Sequence, residues 1–240
     1  MYMKKETKMN DNKDIMDTSW FFQTPVYSIH KPEFLQSAIK ATDKFIKQAE
    51  INQQSVLKER KKLLGNKDYL KVKDHGLSYH STPLNGDPGL KKLEEYIGAT
   101  TLNLLNEWGY DMEKYTAFFT EFWVQEFAKK GGGHHSTHVH WDNHISGFYF
   151  LKCSKKTSYP IFHDPRTGAM MTKLPQKDKN KISIMSDQVH YSVKPGTLIF
   201  FPAYVAHEFA VDMGIEPFRF IHFNLQAIRN DIVNTAKGMK

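Results

Sequence analysis

Cysteine is nearly absent: Cys153 is the one thiol in 240 residues. No disulfide can close within the chain, so a disulfide-held scaffold is excluded and a reducing, cytoplasmic setting is expected. Long apolar runs are missing as well. No stretch approaches the roughly 18 uninterrupted apolar residues that a membrane helix needs. Residues 1–14 are charged and lack the apolar core of an export signal, so neither export nor membrane spanning is expected. No internal repeat is visible. Charge is not gathered in one place either: 33 Lys and Arg against 26 Asp and Glu give +7, with the lysines interleaved among acids along the chain. That is the pattern of a solvated surface rather than of a phosphate-binding face, so nucleic acid is not an expected partner.

What is present is a packable composition, 40% hydrophobic and 13% aromatic, enough to bury a core. Residues 1–17 are polar and unpatterned and are expected to be a flexible lead-in docking at Trp20, Phe21 and Phe22. Pro32 suits a first helical position, and Phe34, Leu35, Ala38, Ile39, Phe45, Ile46 and Ala49 recur at helical spacing, with the lysine-rich stretch 58–62 continuing or following that helix. Asp87-Pro88 reads as a cap, Leu90, Leu93, Tyr96, Ile97, Leu104, Leu105 and Trp108 as a second amphipathic helix, and Gly109 as its end. From Tyr115 the texture changes. Runs rich in Phe, Tyr, Ile and Val at 117–127, 146–152, 182–185, 197–201 and 218–225 read as strands. The expectation is an α+β chain: a lead-in (1–17), a helical part (18–114), and an all-β unit of about eight strands (115–240), a barrel or jelly roll covered by the helices.

The densest local signal is histidine. Five of the twelve fall in one segment, as His134, His135, His138, His140 and His144. Neutral imidazole is a common ligand for iron, zinc and copper, and a strand puts residues i and i+2 on one face. His138 and His140 can therefore reach one ion, and in the other register so can His140 and Asp142. Alone, such a cluster is as often a surface tract. Far downstream, Lys194-Pro195-Gly196 opens a turn, an apolar strand and a Phe201-Pro202 break follow, and His207 lies in the next loop. Twelve residues beyond it, Arg219 opens 219–225.

In this order the motifs resemble the iron(II)/2-oxoglutarate oxygenase superfamily. More narrowly, His138-Val139-His140, residues 145–151, Asp164-Pro165-Arg166 and residues 219–224 resemble a prolyl-hydroxylase-like branch found in marine bacteria and their phages. The resemblance implies a double-stranded β-helix, cupin-like in shape, with Fe(II), 2-oxoglutarate as co-substrate and O2. It makes His138 and His207 iron ligands, Arg219 the partner of the co-substrate's distal carboxylate, and Tyr149 a possible hydrogen-bond donor to it. It implies no catalytic residue beyond the metal centre and a bacterial or phage-infected cytoplasm as the setting. The chain departs from the superfamily at the third ligand, because His140 stands where a carboxylate is usual. Three sets remain open: His138, His140 and His207, taken first; His140, Asp142 and His207; or a carboxylate replaced by another group.

The activity implied is hydroxylation of a peptide or small-molecule C–H bond. Two other functions remain: a three-histidine cupin dioxygenase without 2-oxoglutarate, and a non-catalytic cupin-like binding module. His163-Asp164-Pro165-Arg166 is equally a barrel-mouth contact or a plain turn. His222 and Asn224 lie opposite Arg219 by strand alternation, with packing or structural hydrogen bonds as their expected roles. His134, His135 and His144 are expected around the ligands rather than among them, Trp123 and Trp141 as core and rim aromatics. Gly131-Gly132-Gly133 lacks the Lys-Ser/Thr of a phosphate loop. Cys153 has no nucleophile's surroundings. Substrate and oligomeric state are not readable.

Overall fold

A computed structural model describes residues 5–8, 15–166, 168 and 174–238. Most of the expected lead-in (1–4 and 9–14) and part of the 157–183 loop lie outside the described residues; within the lead-in, β1 (Lys5–Lys8) pairs antiparallel with β2 (Ile15–Thr18).

The first half is helical where its periodicity says so. Pro32 opens a 3-10 turn (Pro32–Phe34) that runs into α1 (Leu35–Asn52), whose Ala38, Thr42, Ile46 and Ala49 are buried at helical spacing. The lysine-rich stretch follows directly in α2 (Gln54–Val72), which is interrupted by Gly65 at φ 71° and buries no residue. In α3 (Lys91–Glu107) the buried stripe is Leu93, Ile97, Thr101, Leu104 and Leu105. The helix starts one turn later than Asp87-Pro88 suggests, because Asp87 uses its Oδ1 to accept the Gly89 N–H at 2.9 Å and shapes a turn before the helix. Gly109, at φ 91°, ends it.

Strands follow the alternation of Cβ positions. β3 (Tyr27–His30), β4 (Ser78–His80), β5 (Tyr115–Phe127), β7 (Ile145–Lys152), β10 (Thr197–Pro202) and β12 (Arg219–Arg229) form one antiparallel sheet, ordered β3-β10-β7-β12-β5-β4. β6 (His135–His138), β8 (Pro160–His163), β9 (Gln188–His190) and β11 (His207–Phe209) form a second, ordered β6-β11-β8-β9. The helical half thus supplies both edge strands of the larger sheet. The run 182–185 is not a strand: Ser186 N–H closes a turn onto the Ser183 carbonyl at 3.0 Å, leaving Ile182 and Ile184 exposed. After Asn230 the chain ends in α4 (Asn230–Gly238).

The larger sheet is buried on both faces, so its central strands read as nearly continuous apolar runs. One face, with Tyr149, Leu198, Ile221, Phe223 and Leu225, packs on α1 and α3. The other, with Phe148, Phe150, Ile199, Phe201 and Phe220, meets Phe162 and Phe209 of the smaller sheet. A substituent side chain on β7 or β12 therefore belongs either to the helix-facing core or to the space between the sheets, and parity decides which.

Candidate metal centre

The space between the sheets holds the histidines. Two flanking glycines aim the segment that carries them. Gly131 and Gly132 have φ of 73° and 80°, a region that costs other residues energy, and a Cβ on Gly131 would meet the backbone of Asp212–Gly214 at 2.7 to 2.8 Å. That turn delivers the chain into β6, where His138 is the cross-strand partner of His207 on β11. His140 follows just beyond the strand, its backbone N–H held by the Ala203 carbonyl at 3.1 Å. Ring centroids of His138 and His207 lie 4.5 Å apart, those of His138 and His140 5.0 Å, and those of His140 and His207 5.1 Å. The three residues offer nitrogens that all lie within 4.8 Å of one another.

Backbone carbonyls set the tautomers. Ser136 O accepts from His138 Nδ1 at 2.7 Å, and Val205 O accepts from His207 Nδ1 at 3.0 Å. A carbonyl can only accept, so each Nδ1 carries the proton and each Nε2 keeps its lone pair. His207 is completely buried, and the Nε2 atoms of His140 and His207 are both buried without a hydrogen-bond partner. Unpartnered buried nitrogens are costly unless something else satisfies them, and a cation does so. Burial pushes the His207 imidazole down to about 2, helped by the neighbouring imidazoles, and His140 down to about 3 for the same reasons. Both are neutral at physiological pH, the form a metal requires. By donor type, tautomer and burial the residues fit an iron(II) ion.

A second group adjoins this one. Glu121 on β5, His140, and His222 on β12 also offer ligand atoms within 4.8 Å of one another. His222 is buried and both its ring nitrogens lack a hydrogen-bond partner, although Nε2 is 3.2 Å from Glu121 Oε2. Burial pushes the His222 imidazole down, against the pull of the adjacent Glu121 carboxylate and with help from His138 and His80. Contact with His222 is the main reason the Glu121 carboxyl is held down to about 2. Asn224 Nδ2 donates to the same Glu121 oxygen at 2.7 Å. Trp123 lies between His80 and His222, with ring centroids 4.0 and 4.6 Å away, and closes the inner end.

Not every residue singled out by sequence arrives here. Asp142 is exposed at φ 59° and joins neither ligand group among the described residues; the tight turn after His140 carries its side chain away. Arg219 and Tyr149 lie apart from both ligand groups. Both are on the helix-facing side of the larger sheet, opposite to His222 and Phe148, because their parity on β12 and β7 puts them there. The Arg219 guanidinium donates to Glu126 Oε2 at 2.5 Å and to Asp43 Oδ1 at 2.6 Å. Tyr149 donates its hydroxyl to the Lys31 carbonyl at 2.7 Å. Glu121 and His222 are what sequence reading missed as donors; alternation between Phe220 and Asn224 was the signal for His222, and none existed for Glu121.

Asp164 and Arg166 form a bidentate pair, Nε to Oδ1 at 2.9 Å and Nη2 to Oδ2 at 2.7 Å, at the rim of a cavity of about 570 Å³. Trp20, Val26, Phe162, Tyr191 and Val205 also line it. Phe162 and Val205 are the link to the centre: the ring of the first is 6.3 Å from that of His207, and the carbonyl of the second holds its Nδ1.

Residues 121–224 match a family model described as "Putative 2OG-Fe(II) oxygenase". The matched segment spans less than half of the chain and contains both ligand groups. No curated protein sequence matches the chain. Among solved structures, an oxidoreductase of the 2OG-Fe(II) oxygenase family from Burkholderia pseudomallei is 12% identical, with 58% of each chain covered and a TM-score of 0.40. A prolyl-4-hydroxylase from Pseudomonas putida is 9% identical, with 84% of this chain and 92% of that one covered and a TM-score of 0.45. A prolyl hydroxylase from Trichoplax adhaerens, in complex with a hypoxia-inducible-factor peptide fragment, is 10% identical over 83% of this chain and 82% of that one, at 0.46. The chain thus covers under two thirds of the first of these. The match makes residues 121–224 similar to the 2OG-Fe(II) oxygenases that the model describes.

Proposed function

We infer that this chain is an iron(II)- and 2-oxoglutarate-dependent oxygenase that hydroxylates a C–H bond of a peptide or small molecule. The convergence of three imidazoles, with two buried Nε2 atoms lacking any hydrogen-bond partner, carries the reading. We read the two facing antiparallel sheets as a double-stranded β-helix with His138, His140 and His207 holding the iron inside it and residues 18–114 as its cover.

Iron(II) with 2-oxoglutarate and O2 supplies oxidation of a C–H bond coupled to decarboxylation of the co-substrate to succinate. The chain does the rest. His138 and His207 present fixed lone pairs because their Nδ1 protons are committed to carbonyls. Phe148, Phe162 and Phe201 wall His207 at centroid distances of 5.5, 6.3 and 4.8 Å and keep water out. Ser146 Oγ and Asn224 Oδ1, on partner residues of β7 and β12, are buried without partners and available to a co-substrate or substrate oxygen or N–H. The cavity beside Phe162 and Val205, lined by apolar side chains together with Gln23, His163, Gln188 and the Asp164–Arg166 pair, suits a peptide or a partly apolar small molecule.

A second reading rests on Arg219 and Tyr149 facing the helices: a three-histidine dioxygenase has no need of a carboxylate partner for 2-oxoglutarate. Anaerobic titration of metal-free protein with iron(II) and then 2-oxoglutarate separates the two. The oxygenase reading expects the weak visible charge-transfer band of the chelated complex, lost in His207→Ala and retained in Arg219→Leu. Iron binding without any such band would hand the site to the second reading.

A further inference from the structure

The sequence lacks the carboxylate usual beside His138, yet a carboxylate does reach the histidines from a different strand. We propose that Glu121, His140 and His222 form a second position for a divalent transition-metal ion, next to the three-histidine set and competing with it through His140.

Two strands and the loop after a third assemble it. Glu121 and Asn224 are register partners on β5 and β12, and Trp123 and His222 are the next inward-facing pair. The chain brings His140 against them, with Nδ1 3.9 Å from Glu121 Oε2 and its ring centroid 4.6 Å from that of His222. The donor set is two imidazoles and one carboxylate, which suits first-row divalent ions and leaves positions open for other ligands. His222 is the observation that asks for a ligand. It is 1% exposed, its two ring nitrogens have no hydrogen-bond partner, and its Nε2 is directed at the carboxylate without hydrogen-bond alignment. Ordinary structural histidines, such as His144 accepting the Ala227 N–H at 3.1 Å, satisfy a nitrogen within the fold. Glu121 is oriented from outside by Asn224 Nδ2, as ligating carboxylates commonly are. Its side chain is 45% exposed, which gives an ion a way in.

His140 belongs to both groups. A neutral imidazole has one lone pair, so one ion bound through it leaves the other group a ligand short. Occupancy of one position therefore lowers the affinity of the other, and the chain can hold a metal in an all-histidine or a carboxylate-bearing environment.

Cobalt(II) is the probe, and no 2-oxoglutarate is needed, so the outcome is independent of the oxygenase reading. In a His138→Gln/His207→Gln chain, checked for folding by circular dichroism, anaerobic spectrophotometric titration should still show one cobalt per chain. Adding Glu121→Gln to that background should weaken binding at least tenfold. A folded double variant that binds no cobalt, or one that is indifferent to Glu121→Gln, overturns the proposal. Should the double variant not fold, crystals of the unaltered chain soaked in cobalt chloride decide it by anomalous diffraction. Peaks at both positions, each partly occupied, support it; a single peak among His138, His140 and His207 overturns it.

Discussion

Arg219 is the residue whose role changes most between sequence and structure. A buried guanidinium between Glu126 and Asp43 is an ion-pair hub joining β12, β5 and α1. Removing one member leaves a buried charge uncompensated, a loss of about 3 kcal/mol or more. Glu126 is 8% exposed and keeps only Lys152 at 3.4 Å. Arg219→Leu is therefore expected to lower the denaturation midpoint by that order in urea titration, while its iron(II) affinity stays within a few-fold of the parent's. A variant of normal stability with lost 2-oxoglutarate binding would return Arg219 to the co-substrate. Cys153 offers a simpler check. Burial pushes its thiol up to about 12, so at pH 8 the thiolate is scarce and shielded. Folded protein should react with a thiol reagent far more slowly than protein in denaturant; comparable rates would contradict that burial.

At the scale of elements, the long strands and amphipathic helices were legible and the short strands were not. β5, β7, β10 and β12 carry 6 to 13 residues, enough for their apolar runs to stand out. β6, β8, β9 and β11 have only three or four, too few alternations to separate from a loop, and three of them bear or support the histidines. His138 and His140 were legible through their spacing and His207 through the proline-bounded strand before it. Glu121 and His222 were not, since parity tells which residues share a face but not which face meets the site. The same parity had already separated Arg219 from His222; only the packing of α1 and α3 says which side is which. Two substitutions test that packing. Gly147 sits in β7 where a Cβ would run into the Phe223 ring and the Ile199 carbonyl, so Gly147→Ala should cost about 1–3 kcal/mol through overpacking. Ile97 is fully buried in α3, and Ile97→Ala should cost about 2–5 kcal/mol by leaving a cavity. Near-neutral midpoints in thermal melts of either would put the helices elsewhere.

Across the whole molecule, the histidine cluster couples stability to pH as well as to metal. Ligands that bind only the folded chain stabilise it by mass action, about 2.7 kcal/mol at a hundredfold excess over Kd, so a divalent ion should raise the melting temperature and a chelator reverse it. Without metal, the imidazoles act alone. Burial pushes His207 down to about 2, His140 to about 3 and His135 to about 4, whereas in the unfolded chain each titrates near 6.5. Between those values the unfolded state binds more protons, so unfolding gains on folding as pH falls. The stability that neutral burial permits is intact above about pH 6.5 and is lost progressively below it, by up to about 1.4 kcal/mol per pH unit for each histidine. Urea midpoints of chelator-treated protein should be level from pH 7 to 8 and drop steeply from 6.5 to 5. Substituting His135 by Phe, which keeps a ring beside Phe127 and Phe209 at its centroid distances of 5.9 and 5.6 Å, should make that drop shallower. An unchanged slope would mean that His135 is protonated or solvated in the folded chain, and that the space between the sheets is wetter than its phenylalanines imply.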